Sequence, residues 1–187
     1  MKKIMVLMRF AKGFGWALTV AMMLLSLGLI TESAQARPLD LTLQPSPDMF
    51  SDAIEVNYDA ASQMFTARGF AEHIKNGTDT PTQVINGQFE ITAAISNSGD
   101  ILSGTLTITG EVPSLGIGQG QLLVGNISAL GYGEAGGAVE FQFDTSDGAM
   151  FTQFGPAIKV ILGQSGFTGN FAQNFNNGAI GVAGIGW

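Results

Sequence analysis

Between residues 89 and 112 the chain alternates apolar and polar positions almost without a break. Phe89, Ile91, Ala93 and Ile95 mark one face before Asn97-Ser98-Gly99-Asp100, and Leu102, Leu106, Ile108 and Val112 mark one face after it. A period of two around a polar, glycine-containing break predicts two antiparallel strands, each with one buried face. Thr105, Thr107 and Thr109 fall on the opposite face, where branched hydroxyl side chains favour the strand and tolerate water. An earlier pair reads the same way. Ile54, Val56 and Tyr58 alternate with Glu55, Asn57 and Asp59, a turn falls at Asp59-Ala60-Ala61-Ser62, and Met64 to Phe70 returns.

Later strands are expected at Gly120 to Leu130, Val139 to Asp144, Ala157 to Leu162 and Ile180 to Trp187. The stretch from Ser146 to Pro156 breaks the alternation. Ser146 can cap, Met150, Phe151 and Phe154 share a helical face, and Gly155-Pro156 can stop a helix, so one short helix is expected near 147–154. Residues 37–52, with Pro38, Pro45 and Pro47, read as an extended leader. Gly163, Gly166 and Gly169, followed by Asn170, Asn174, Asn176 and Asn177, read as loop. The expectation is an all-β fold. Residues 53–187 would form a single antiparallel β-sandwich, a jelly roll being one form of it.

The N-terminus says where such a domain goes. Lys2, Lys3, Arg9 and Lys12 lead into an apolar run from Trp16 to Ile30, and Ala34-Gln35-Ala36 supplies a small-x-small site. This is the pattern of a secretory signal peptide over residues 1–36. The run is shorter than the ~20 residues a spanning helix needs. A secreted protein, extracellular or periplasmic and free of the membrane after cleavage, is expected. Processing would leave Arg37, Arg68, Lys75 and Lys159 against fourteen carboxylates. Such a surface repels phosphate backbones and anionic headgroups, which argues against nucleic acid as a partner. The chain has no cysteine, so disulfides, thiolate zinc sites and cysteine nucleophiles are excluded.

Enzymatic candidates are few. In Glu140-Phe141-Gln142-Phe143-Asp144 the polar residues share one strand face, as acid and nucleophile do on the concave sheet of some glucanases. Four residues of strand separate Glu140 from Asp144 by ~13 Å, against the ~5–9.5 Å that glycosidases use. A solvated strand face accounts for them better, with Glu111 a third carboxylate of the same kind. His73 is the single histidine, and Gly163-Gln164-Ser165-Gly166 falls short of a nucleophile elbow, so a Ser-His-acid enzyme is not expected. Asp144, Asp147 and Asp100 lie in turn sequences that offer hard oxygens and are the candidate calcium ligands; turns call for the same residues on their own account. No other cofactor is implied. Sugar platforms present flat aromatic rings, and beyond residue 36 only Tyr58, Tyr132 and Trp187 are of the amphipathic kind. A terminal aromatic such as Trp187 is also found on outer-membrane barrels, although girdles and an apolar outer band are missing here.

From Gly104 to Asn177 the chain resembles a group of uncharacterised exported bacterial β-rich proteins, several of which carry an exosortase-type sorting tail. The resemblance rests on Gly104-Thr105-Leu106-Thr107-Ile108-Thr109-Gly110, Glu140-Phe141-Gln142-Phe143, Val160-Ile161-Leu162-Gly163 and Gly166-Phe167-Thr168-Gly169-Asn170-Phe171. It implies export and a β-rich domain and carries no catalytic residues across. The Pro-Glu-Pro motif of those tails is not found in this sequence. The function expected is that of a non-enzymatic surface, matrix or ligand-binding protein, with a glycan, a cell-surface component or a second copy as partner. A glycan hydrolase using Glu140, Asp144 or Glu111, and a small outer-membrane barrel, are the alternatives.

Overall fold

The computed structural model describes residues 37–43, 47–77, 79–178 and 182–186. The expected signal peptide and Trp187 lie outside them. The strands are β1 (Asp48–Asp59), β2 (Met64–Lys75), β3 (Thr82–Gln83), β4 (Ile85–Ile95), β5 (Ile101–Val112), β6 (Ile117–Tyr132), β7 (Val139–Asp147), β8 (Ala157–Leu162), β9 (Phe175–Asn176) and β10 (Ala183–Gly186). A single turn of helix, α1 (Phe151–Phe154), lies between β7 and β8.

The strands pair antiparallel in the order β1-β2-β4-β5-β6-β7-β8-β10, and β10 pairs back onto β1 through Met49↔Ile185, Phe50↔Gly184 and Ser51↔Ala183. The sheet therefore closes into an eight-stranded barrel, which corrects the expected sandwich and jelly roll. Alternation buries one face of a strand in either architecture, so it cannot distinguish two stacked layers from one rolled layer. Sequential hairpins and β-bulges in the β1–β2, β4–β5, β5–β6 and β6–β7 ladders bend the sheet, and closure removes the edges an open sheet would leave.

Inside the barrel sit the residues the period-two pattern selected. Ile54, Val56, Tyr58, Phe89, Ile91, Ala93, Ile95, Leu106, Ile108 and Val112 are all buried. Leu102 is the exception, 60% exposed. Ala94 pairs with Ser103 and Ile95 with Ile101, so Leu102 is the extra residue of a bulge and is turned out of the face it was expected to share. Thr105 is exposed and Thr107 and Thr109 are half-buried, on the outer face as expected.

Both ends of the barrel are closed by side chains. At the end carrying the β1–β2 turn, the loop after β8 places Phe167, Phe171 and Phe175 against Tyr58 and Tyr132. Phe171 lies 5.1 Å from each tyrosine ring, edge on, and Phe175 stacks on Tyr58 at 5.3 Å. Tyr58 Oη donates to the Ile95 carbonyl at 2.8 Å, which lets an amphipathic ring lie in the core with its hydroxyl satisfied. At the other end Met150 and Phe154 are buried. Phe151, expected on their face, is 40% exposed, because α1 is too short to present three residues inward.

Residues 37–43 are a strap on the outside of the barrel. Arg37 and Tyr132 exchange backbone hydrogen bonds at 2.8 and 3.0 Å where β6 outruns its β5 partner. Farther along the strap, Lys159 Nζ donates to the Thr42 carbonyl at 3.4 Å. The leader was expected to run to Asp52, but strand pairing begins at Asp48.

Candidate functional site

The strand carboxylates all point away from the barrel interior. Val139, Phe141 and Phe143 fill the inner face of β7, which places Glu140, Gln142 and Asp144 on the outer one. Glu140 accepts backbone hydrogen bonds from the strap, from Leu39 at 2.8 Å and Leu41 at 3.2 Å. Asp144 is exposed, opposite Asn126 and Ala157 on the neighbouring strands. Glu111 sits on β5 opposite Ile85, two strands from Glu140's β7 in the sheet order. The structure brings none of the three into a shared cleft.

The calcium candidates are likewise engaged singly. Asp100 forms an ion pair with Arg37 at 3.0 Å and accepts from the Ser98 hydroxyl at 2.7 Å; those two hydrogen bonds hold its carboxyl below the usual aspartate range. Asp147 accepts the Gly148 amide at 2.7 Å. Among the described residues no three of His, Cys, Asp and Glu come together in a way that could hold a metal ion. Ser165 is buried, its hydroxyl donating to the Gly137 carbonyl, in the loop at the end of the barrel opposite His73.

His73 belongs to a different grouping, one the sequence did not single out. The β2–β4 ladder stops at Gly69↔Phe89, and beyond it β3 takes over, pairing with His73 and Ile74. Gly87 marks the crossing: a Cβ there would lie 1.9 Å from the Ala71 carbonyl oxygen, so only glycine lets β4 pass this close to β2. Asn86 beside it takes a left-handed backbone, with φ of 51°. The β1–β2 ladder slips one register between Phe50 and Ser51, which turns both Glu72 and His73 toward the outer side. Together these irregularities open a cleft of about 380 Å³ whose lining includes Phe70, Glu72, His73, Gln83, Asn86 and Gln88.

One exposed aromatic ring, Phe70, lines this cleft, and a second, Phe50, lies on the neighbouring strand β1 outside its lining. Phe70 is 53% exposed and Phe50 is 48% exposed. Phe50 lies across from His73, and Asp52 from Phe70, so the two phenylalanines are diagonal neighbours on the outer face, ~7–8 Å apart along the backbone. His73 Nδ1 is 3.9 Å from the Glu72 carboxylate. Among the described residues no lysine or arginine lines the cleft. The site thus offers apolar ring faces, amide donors and acceptors, one imidazole and one carboxylate. Its sequence signal was a phenylalanine out of phase: Phe70 precedes Ala71 and Ile74 on the buried face, and Phe50 follows Met49.

Comparison of the chain with protein-family models, with curated proteins and with solved structures finds no match.

Proposed function

We propose that this chain is an exported, non-enzymatic barrel that acts as a surface or matrix component, binding its partner through the outer face. The observation that carries this reading is the state of Glu140. The carboxylate best placed by sequence to act as a catalytic acid is occupied by two strap amides, with Asp144 four residues along the same strand face. The barrel interior supports the same reading. It is filled by aliphatic and aromatic side chains, with Phe65, Phe141 and Phe143 in ring contact, so recognition falls to the exterior. A turnover screen on polysaccharides tests it. No hydrolysis is expected from the wild-type protein, and hydrolysis lost in Glu140→Gln would overturn the reading in favour of the hydrolase.

A closed antiparallel barrel of eight strands is also the architecture of small outer-membrane barrels, which makes that the second reading. A lipid-facing barrel carries its apolar band outside and its polar residues within. Here the outer faces hold Arg68 paired with Glu90, Gln88, Thr105, Thr107 and Gln142, while the inner faces are apolar. That distribution favours water on the outside. Recovery of the processed protein from the soluble fraction without detergent is expected; recovery only with detergent would favour the membrane barrel.

A further inference from the structure

We infer that the cleft at the β2–β3–β4 crossing is a binding site for a neutral polysaccharide or oligosaccharide. The inference rests on the non-enzymatic binding role proposed above and names the ligand class and the place.

A barrel that buries so many of its phenylalanines leaves Phe50 and Phe70 about half in water, as diagonal neighbours on one face. Each exposed ring carries an apolar surface that gains by meeting another apolar surface. Around Phe70 the cleft supplies side-chain amides from Gln83, Asn86 and Gln88, the Glu72 carboxylate and the His73 imidazole. An apolar plane bordered by groups that both donate and accept matches a pyranose, whose C–H face is apolar and whose rim is a ring of hydroxyls. A protein partner's large apolar face would leave these polar groups buried without partners.

Charge narrows the class. Among the described residues the lining holds a carboxylate and neither lysine nor arginine, and the chain as a whole is acidic, with a net charge of −7. Phosphorylated and uronate-rich polymers are disfavoured there, and an uncharged sugar is not. The rigidity of the cleft supports binding as well. Its floor is fixed by the Gly87 crossing and by the Val84 amide donating to the Glu72 carbonyl at 2.7 Å, so little ordering is needed when a ligand arrives.

The test is affinity electrophoresis of residues 37–187 through gels containing a soluble β-glucan, a mannan or polygalacturonate. NMR titration with oligosaccharides of any polymer that retards the protein then locates the site. A neutral polymer is expected to retard the protein and polygalacturonate is not, with amide shifts centred on Asn86, Gly87 and Gln88. Phe70→Ala and Gln88→Ala are each expected to weaken binding at least about tenfold, with unfolding midpoints near wild type because both side chains are on the surface. Leu102→Ala, on the outer face elsewhere, is expected to bind as wild type. The inference is overturned if neither neutral polymer retards the protein, if Phe70→Ala binds unchanged, or if the shifts gather elsewhere. Hydrolysis of a polymer bound in this cleft would overturn the non-enzymatic reading and leave the cleft assignment standing.

Discussion

The carboxylate of Glu140 accepts the backbone amide of Leu39 at 2.8 Å, joining the middle of the barrel wall to a strap 101 residues earlier in the chain. Apart from the Arg37–Tyr132 bridge, the described strap residues pair with no strand, because the strands beneath them are already paired on both sides in the closed sheet. Side-chain oxygens must take the place of a ladder, and a carboxylate with two acceptor atoms serves two amides at once, Leu39 and Leu41. Glu140→Ala would leave both amides without that acceptor. It should cost about 1–3 kcal/mol in urea unfolding and speed hydrogen exchange at Leu39 and Leu41 selectively. Unchanged exchange at those two amides would mean that the strap is held by other contacts.

The aromatic plug should be a major store of stability. Phe171 is wholly buried and touches four rings, those of Tyr58, Tyr132, Phe167 and Phe175. Phe171→Ala removes the centre of that cluster and should destabilise the protein by about 3–5 kcal/mol, measured by chemical denaturation. A loss under 1 kcal/mol would indicate that the loop after β8 does not close the barrel in solution.

Asn177 takes the place of a neighbouring strand beside β1, between the β9 and β10 pairings. Its side chain accepts from the Val56 amide at 2.9 Å and donates to the Ile54 carbonyl at 2.7 Å, two backbone groups just past the β1 bulge. Asn177→Asp keeps the acceptor and loses the donor, whereas Asn177→Ala loses both. Thermal unfolding should rank wild type above the aspartate variant and the aspartate variant above alanine, with alanine about 1–3 kcal/mol below wild type.

Acid should weaken the fold through its surface turns. Asp59 is held below the usual range by hydrogen bonds from the Ser62 hydroxyl and the Ala61 amide, and Asp100 by those from Ser98 and Arg37. A lowered value in the folded state means that the unfolded chain binds the proton more tightly. The stabilisation is therefore complete above the unfolded value of ~3.9 and is lost as pH falls through the folded values. A denaturation series should show stability declining below about pH 4, and the Asp59→Asn, Asp100→Asn double variant should show a shallower decline.

Asp48 has the opposite sign. Burial raises its value, Lys75 offsetting part of the effect, and among the described residues its Oδ1 has no hydrogen-bond partner. A raised carboxylate favours the folded state most below the unfolded value, and that contribution is lost as pH rises through the folded one. Asp48→Asn should therefore unfold up to about 2 °C higher at neutral pH, and the difference should vanish in acid. A lower midpoint for the variant at neutral pH would show that attraction to Lys75 outweighs burial.

Much of the strand content was legible because period-two alternation reports a buried face directly. The hairpin around Asn97–Asp100 and the inward set from Phe89 to Ile95 follow from that rule alone. Closure was not legible, since Met49 and Ile185 pair across 136 positions and leave no local mark. The role of Glu140 was hidden for a similar reason. Its position on β7 marked it as outward, but the amides that occupy it come from a segment read only as an extended leader. The β2–β3–β4 cleft arises from register slips at Phe50/Ser51 and between Ile85 and Gln88, and such slips depend on the partner strand rather than on either strand's own sequence.

The barrel is a single rolled sheet with most of its aromatic rings inside, and the function proposed above puts water outside it. Nuclear Overhauser contacts in detergent-free buffer test this most directly. Cross-peaks linking the backbone protons of Phe50 to those of Gly184, together with ring contacts between Tyr58 and Phe171, are the expected result. Their absence from a folded, assigned spectrum, or a protein that stays in solution only with detergent, would contradict it.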